Sequence, residues 1–84
     1  MILAETVNFM VSTDYKERFI AEYQQLVIRY KGLKAMLEKW DKNELEFTPT
    51  CPRSTYYMQI EAMVNYIAVL EARAVMEDIE LQEV

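Results

Sequence analysis

The chain of 84 residues has no histidine, one cysteine, one glycine and two prolines. Without a histidine or a second cysteine, the usual Cys/His zinc cluster and an internal disulfide are both excluded. So few glycines and prolines are untypical of a sandwich or barrel, which needs many turns. A chain that is 52% hydrophobic is also too apolar for a disordered segment. These scarcities favour one small all-helical domain.

Enzymatic motifs are scarce as well. The sequence has no Gly-rich phosphate loop, no nucleophile elbow and no acidic cluster with metal-ligand spacing. Cys51 has no histidine to activate it as a nucleophile. We therefore predict a protein that is not an enzyme and that uses neither a metal nor a cofactor.

The formal net charge of −5 argues against long-range attraction to DNA, RNA or an anionic membrane. The acidic excess is terminal, because residues 71–84 carry five acids against Arg73 alone, whereas residues 14–44 carry six acids and seven bases. A locally positive site on the first helix is therefore compatible with the net charge. Since no stretch reads as a signal peptide or a membrane span, we expect a cytoplasmic protein that binds neither a nucleic acid polymer nor a membrane.

A heptad stripe predicts the first helix, over about residues 15–42. Asp14 is a good N-cap residue, and Glu17 follows it at the spacing of a capping box. Gly32 lies inside this helix, where it fits either as a tolerated or packing glycine or as a point of close approach for a backbone or ligand. The stripe comprises Phe19, Tyr23, Leu26, Tyr30, Leu33, Leu37 and Trp40.

A second heptad stripe predicts another helix over about residues 54–77, after a hinge at residues 43–53. Pro52 suits its first turn, because proline has no amide hydrogen to leave unpaired there. Either Thr50 or Cys51 caps this helix, or Ser54 or Thr55 caps a slightly later start. The stripe comprises Tyr56, Ile60, Met63, Ile67, Leu70 and Ala74.

The fold class is therefore all-α, an antiparallel two-helix hairpin with heptad packing. Residues 13–84 form this single domain, and its acidic tail includes Ile79 and Leu81, which are apolar enough to fold back onto the helices. Residues 1–12 form an arm of undecided structure. It has some β character but no partner strand, and is either a cover for an apolar surface or a poorly ordered extension.

The second helix is apolar around most of its circumference, and a hairpin partner covers only one side of it. We therefore predict a homo-oligomeric helical bundle, a dimer or higher, because a large exposed apolar patch usually marks an interface. The residues left outside the hairpin seam are Met58, Ala62, Tyr66, Val69 and Met76.

Tyrosine and arginine recur together on both helices. Tyrosine offers a stacking face and arginine a fork for phosphate, as a nucleotide pocket requires. The structural alternative is that the tyrosines line the edges of a thin bundle. Arg53 stands out, because the start of a helix already favours an anion. The candidate ligand-binding residues are Arg53, Ser54, Thr55, Tyr56, Tyr57, Arg29, Tyr30 and Arg73.

The sequence resembles a family of small phage and prophage helical-hairpin proteins typified by one from a crAss-like phage. The likeness extends from about Thr13 to Leu81. It rests on the hinge Phe47-Thr48-Pro49-Thr50-Cys51-Pro52, on the run Asp14-Tyr15-Lys16-Glu17-Arg18, and on Ala62-Met63, Tyr66 and Leu70-Glu71-Ala72-Arg73-Ala74.

More remotely, the layout is similar to the phage helical-hairpin proteins of the anti-CBASS and anti-Thoeris groups. Those resemble oligomeric sponges that hold cyclic oligonucleotides or cyclic ADP-ribose derivatives between protomers. The resemblance implies an anti-defence protein in the cytoplasm of an infected bacterium that sequesters a small nucleotide signal without catalysis. The alternative is an oligomeric helical protein that binds or inhibits a host protein, or acts as a scaffold.

Overall fold

Two long helices make up most of the chain. The computed structural model describes residues 1–82 and 84, and these are all-helical with no strand among them. A 3-10 turn over Leu3–Thr6 leads into the short α1 (Val7–Met10), and α2 (Tyr15–Asp41) and α3 (Arg53–Met76) follow. Both long helices end one residue before the predicted limit, and α3 begins one residue earlier than predicted.

The start of α2 is capped by Asp14, whose side chain accepts from the backbone amide of Lys16 at 3.0 Å. The predicted capping box is replaced by a relay. The amide of Asp14 donates to Ser12 Oγ at 3.0 Å, and Ser12 Oγ donates to Glu17 Oε1 at 2.6 Å. Glu17 thus serves the cap through Ser12, which pairs the amide of Asp14, while Asp14 pairs the first-turn amide of Lys16.

Both long helices end in a Schellman motif closed by a residue other than glycine. Asn43 (φ 57°) and Asp78 (φ 55°) take the left-handed conformation. The next amide then reaches back into the helix, from Glu44 to the carbonyl of Lys39 and from Ile79 to that of Ala74, each at 2.8 Å. Asparagine and aspartate tolerate this conformation better than most residues, so the polar turns stop the helices without glycine.

The predicted stripes form the seam between α2 and α3, since every member of both is buried or half-buried. The most buried part lies at the open end of the hairpin, away from the hinge. There Phe19, Leu70 and Ala74 cluster with Ile79 from the tail, and Leu81 packs against them. The prediction that Ile79 and Leu81 fold back onto the helices is confirmed.

Tyrosine hydroxyls join the two helices along the edges of this seam. Tyr15 donates to Glu77 at 2.7 Å and Tyr23 donates to Glu71 at 3.1 Å. A third pair runs in the opposite direction, from Tyr66 on α3 to Glu22 on α2. These three tyrosines therefore serve the hairpin itself, as the structural alternative for them anticipated.

The arm folds back onto α2 as helix rather than strand, so it is a cover. Thr6 is fully buried, and its hydroxyl donates to the carbonyl of Leu3 at 2.7 Å and accepts from Gln25 Nε2 at 2.9 Å. Helical pairing within the arm satisfies the backbone groups that a lone strand would leave open. The arm covers a face of α2 that α3 does not reach.

The tail lies along α2 as well. Lys16 Nζ donates to the carbonyl of Asp78 at 3.5 Å, and Lys31 Nζ reaches the carbonyl of Val84 about four helical turns further on. Among the described residues, α2 is thus packed by the arm, the tail and α3, whereas α3 is packed by α2 and by the part of the tail around Ile79 and Leu81. The outer face of α3 (Met58, Ala62, Tyr66, Val69, Met76) is exposed in the protomer, as predicted, with Met58 at 71%. Within the described residues, no helix combines the length and the apolarity that crossing a bilayer requires.

Candidate ligand site at the hinge end of the hairpin

The hinge, residues 42–52, ends at Pro52, and Arg53 is the first residue of α3. Pro52 occupies the N-cap position instead of the first turn, with extended backbone (φ −63°, ψ 152°), and makes no side-chain cap. None of the four predicted caps, from Thr50 to Thr55, therefore forms. Proline has no side-chain acceptor, so no carboxylate or hydroxyl caps the start of α3, although the amide of Thr55 donates to the carbonyl of Pro52 at 3.0 Å. An uncapped helix start of this kind favours an anion.

The guanidinium of Arg53 lies between two aromatic rings. Its central carbon is 4.9 Å from the ring centre of Trp40 and 5.1 Å from that of Tyr57. Nη2 pairs with Asp41 Oδ1 at 2.8 Å, which joins the end of α2 to the start of α3. The side chain remains 24% exposed. Arg53 is thus a clamp across the hinge end whose plane is fixed before any ligand arrives.

One donor of this clamp is unpaired. Within the described residues, Arg53 Nε is buried and has no hydrogen-bond partner. The guanidinium consequently pairs with Asp41, lies near two aromatic rings and has one unsatisfied donor. A phosphate that approached the exposed edge would compete with Asp41 for a bidentate contact.

Tyr56 completes the surroundings of Trp40. The two rings meet edge to face with centres 6.0 Å apart. Burial, followed by the neighbouring Cys51 thiol, raises the pKa of Tyr56, so its hydroxyl stays protonated and able to donate. We call Trp40, Asp41, Arg53, Tyr56 and Tyr57 the hinge-end cluster.

The cluster contains three of the eight predicted site residues. Ser54 and Thr55 are exposed beside it on the same turn of α3. Sequence reasoning missed Trp40 and Asp41 as site residues. The heptad stripe assigned Trp40 to the seam, and Asp41 was predicted only to lie at the end of the first helix. The one feature of the sequence that could have indicated them is their position at the end of the first predicted helix, next to the hinge.

Arg73 lies at the other end of the hairpin. It donates from Nη2 to the hydroxyl of Tyr15 at 2.8 Å and from Nε to Glu77 at 3.0 Å, and it stacks 5.0 Å from the ring centre of Phe19. The hydrogen bond from Tyr15, with help from Arg73, lowers the pKa of Glu77, and the bond to Glu77 raises that of Arg73. Twenty residues of helix separate Arg73 from Arg53, or about 30 Å.

Arg29 and Tyr30 lie in the middle of α2. Arg29 is exposed, and Tyr30 is half-buried with Lys34 Nζ 6.0 Å from its ring centre. Eleven residues separate Arg29 from Trp40, which is about 16 Å of helix. One small ligand therefore cannot touch Arg29, Arg53 and Arg73 within a single protomer.

A groove runs beside the cluster on the outer side of α2. Its volume is ≈ 330 Å³, and its walls are α2 and the first part of the hinge. A side chain added at Gly32 would meet no atom within 4 Å, so the glycine is open to the groove. We call this the Gly32 groove, lined by Gly32, Ala35, Met36, Lys39, Glu44, Leu45, Glu46 and Phe47.

The comparison with known families separates the helical hairpin from the arm and the tail. Residues 13–76 match the family model described as Sequestin, which spans α2, the hinge and α3 and leaves the arm and the tail outside. No curated protein and no solved structure matches the chain.

Proposed function

Because the chain belongs to the Sequestin family, we propose that it binds a small nucleotide signal and withholds it without transforming it. The family's name denotes sequestration, and the finer identity is our proposal. The ligand is a cyclic oligonucleotide or a cyclic ADP-ribose derivative, and the protein is a phage anti-defence protein that acts in the cytoplasm of the infected bacterium.

The observation that carries this proposal is the hinge-end cluster. A guanidinium in contact with the rings of Trp40 and Tyr57, at a helix start without a side-chain cap, presents an ordered cation where backbone amides already favour an anion. Because the side chain is already ordered, binding loses less rotamer entropy. Arg53, Ser54 and Thr55 hold the phosphate, and Tyr56 and Tyr57 lie beside the base.

A net charge of −5 is compatible with such a ligand. The field of the whole acidic surface acts on a long polyanion, whereas a small dianion responds mainly to the cations within a few ångströms. The cluster therefore favours a small nucleotide over a nucleic acid.

The second part of the proposal is a homo-oligomer. The protomer exposes 6118 Å², whereas a folded monomer of 10.0 kDa exposes about 5,200 Å² by the usual scaling with mass. The excess of about 900 Å² is close to the ~800 Å² that each partner buries in a standard interface. A second copy packed on the outer face of α3 covers that surface. Arg29, Tyr30 and Arg73 then reach a ligand held by another protomer's cluster.

Thermal unfolding with a ligand panel tests the function. Cyclic dinucleotides, cyclic trinucleotides and cyclic ADP-ribose isomers are added separately at about 100 times the dissociation constant, where binding to the folded state adds about 2.7 kcal/mol. For a domain of this size that raises Tm by about 10–20 °C. Heat denaturation then releases the ligand, and chromatography must return it unchanged if the protein sequesters without catalysis.

The alternative is a protein that binds or inhibits a host protein. The exposed outer face of α3, with Met76 82% and Val75 83% exposed, gives such a partner an apolar surface. No thermal shift with any nucleotide, together with a monomeric mass in solution, would favour this alternative over the sponge.

A further inference from the structure

Gly32 has no structural reason to be glycine. It is the only glycine of the chain and lies inside α2, where glycine is the least favourable residue after proline. Its φ is not positive, and a Cβ placed there would meet nothing within 4 Å. Neither backbone conformation nor packing within the protomer therefore requires it. Gly32 is therefore not a packing glycine within the protomer, and a tolerated glycine and a point of close approach for a ligand remain the two interpretations.

The space above Gly32 belongs to the Gly32 groove. Ala35 and Met36 continue the apolar floor, and Phe47, 57% exposed, forms a wall supplied by the hinge. Lys39 adds a cation, and Glu44 and Glu46 add carboxylates at the rim. At ≈ 330 Å³ the groove is at the lower end of ligand pockets, roughly 300–1,000 Å³, which is room for one nucleotide-sized group.

The groove carries charges of both signs. Its lining has one base and two acids, whereas the stretch of residues 29–42 beside it carries five bases against two acids. Lys39 can neutralise a phosphate, while the carboxylates of Glu44 and Glu46 accept from the amino group of a base or the hydroxyls of a ribose. A flat ring fits between the bare backbone of Gly32 and the face of Phe47.

We propose that the Gly32 groove is a second base-binding subsite for the nucleotide signal, in addition to the one beside the tyrosines of the hinge-end cluster, with one base over Gly32 and against Phe47 and the phosphate of the same nucleotide toward Lys39. Leu45 and Phe47 also line a recess against Trp40, so the hinge connects this subsite to the hinge-end cluster. The assignment rests on the proposed function and names which part of the ligand binds where.

Gly32→Ala tests the subsite, because its two effects have opposite sign. Alanine is the better helix residue and meets open space, so Tm of the free protein should rise by a few degrees. Its methyl group would occupy the place of the base, so the affinity for the panel ligand that binds best should fall at least tenfold. Lys39→Ala should also weaken binding, whereas Lys34→Ala, a matched lysine outside the groove, should not.

The place where the ligand binds is determined separately, from the chemical shifts of the methionine methyl groups in NMR spectra. Met36 lines the groove, while Met58 and Met76 lie on the outer face of α3. Cyclic di-AMP or 5′-AMP should shift the Met36 methyl resonance first. A ligand that binds with unchanged affinity to Gly32→Ala and leaves Met36 unmoved overturns the subsite while the proposed function stands. Absence of binding to the wild-type chain by every panel member overturns both.

Discussion

Replacing Asp41 by asparagine separates the two roles of Arg53. In the free protein the carboxylate holds Nη2 at 2.8 Å, but its own side chain is 64% exposed. Exposed ion pairs contribute about 0–1 kcal/mol, so Asp41→Asn should lower the free energy of unfolding by less than about 1 kcal/mol. The rings of Trp40 and Tyr57 keep the guanidinium in place. The variant therefore leaves the cation intact and removes its competitor.

The effect on binding should be larger and of opposite sign. A carboxylate about 6 Å from a bound phosphate repels it by roughly 0.7 kcal/mol in bulk water and about 3 kcal/mol at an effective dielectric constant of 20. Because Asp41 is well exposed, the lower part of that range applies, at about 1 kcal/mol. Asp41→Asn should then bind the nucleotide about fivefold more tightly. Raising the salt concentration should reduce this gain.

Arg53→Ala should have the opposite effect on binding to Asp41→Asn. Loss of two cation–π contacts and one ion pair should lower the free energy of unfolding by about 1–2 kcal/mol and weaken binding at least tenfold. Arg53→Lys keeps the charge without the planar fork and should fall between the two. Isothermal titration calorimetry gives the affinities, and urea unfolding gives the stabilities. If Asp41→Asn binds no better than the wild type while Arg53→Ala only loses stability, Arg53 is a structural clamp and the proposed phosphate site is wrong.

Three further predictions concern the hairpin and its assembly. The tyrosine–carboxylate pairs need neutral tyrosine and ionised carboxylate: hydrogen bonding to Glu77 raises the pKa of Tyr15, burial raises that of Tyr23, and the bond from Tyr15 lowers that of Glu77. Their stabilisation should thus be lost above about pH 10 and below about pH 4, and urea midpoints across pH should fall less at both limits in Tyr15→Phe. Asp78→Gly should raise the free energy of unfolding by about 1 kcal/mol, because glycine takes the left-handed conformation (φ 55°) without strain and removes a negative charge from the helix C-terminus. Asp78→Asn removes the charge alone and should give a smaller rise. Val69→Glu places a charge at a position 55% exposed on the outer face of α3, and should reduce the mass measured by light scattering to that of one 10.0 kDa protomer without changing the helicity. A wild-type protein that is already monomeric at micromolar concentration contradicts the oligomer.

The helices and their seam were predictable because their causes are local. Asp14 is a cap in any helix that begins at Tyr15, and residues four and three apart share a face whatever packs against them. Every residue of both stripes is accordingly buried or half-buried. The outer face of α3 was predictable by the same rule, since one neighbouring helix cannot cover a helix that is apolar on two sides.

The arm and the site were not predictable, because their causes are tertiary. Thr6 and Val7 have β propensity, yet pairing with Gln25 on α2 fixes the arm as helix. The sequence placed tyrosines near arginines, but only the fold shows that Arg53 meets Trp40 and Tyr57 while Arg73 is taken up by Tyr15 and Glu77. The position of Pro52 at the N-cap, instead of in the first turn, could not be predicted either, because it depends on the path of the whole hinge.

The hinge end is also where a sponge built from two helices has room for a site. Along the hairpin, α2 is occupied by the arm, the tail and α3, and the tyrosine hydroxyls are bound to carboxylates. At the hinge, the chain leaves helical geometry, so the start of α3 and the guanidinium of Arg53 lie beside the last aromatic residues of the seam. Sequestration acts stoichiometrically, so the amount of signal withheld depends on the protein concentration and on the affinity. A cation already held in place before binding raises that affinity by lowering the entropy lost, and Asp41 opposes it only as far as a solvent-screened carboxylate can.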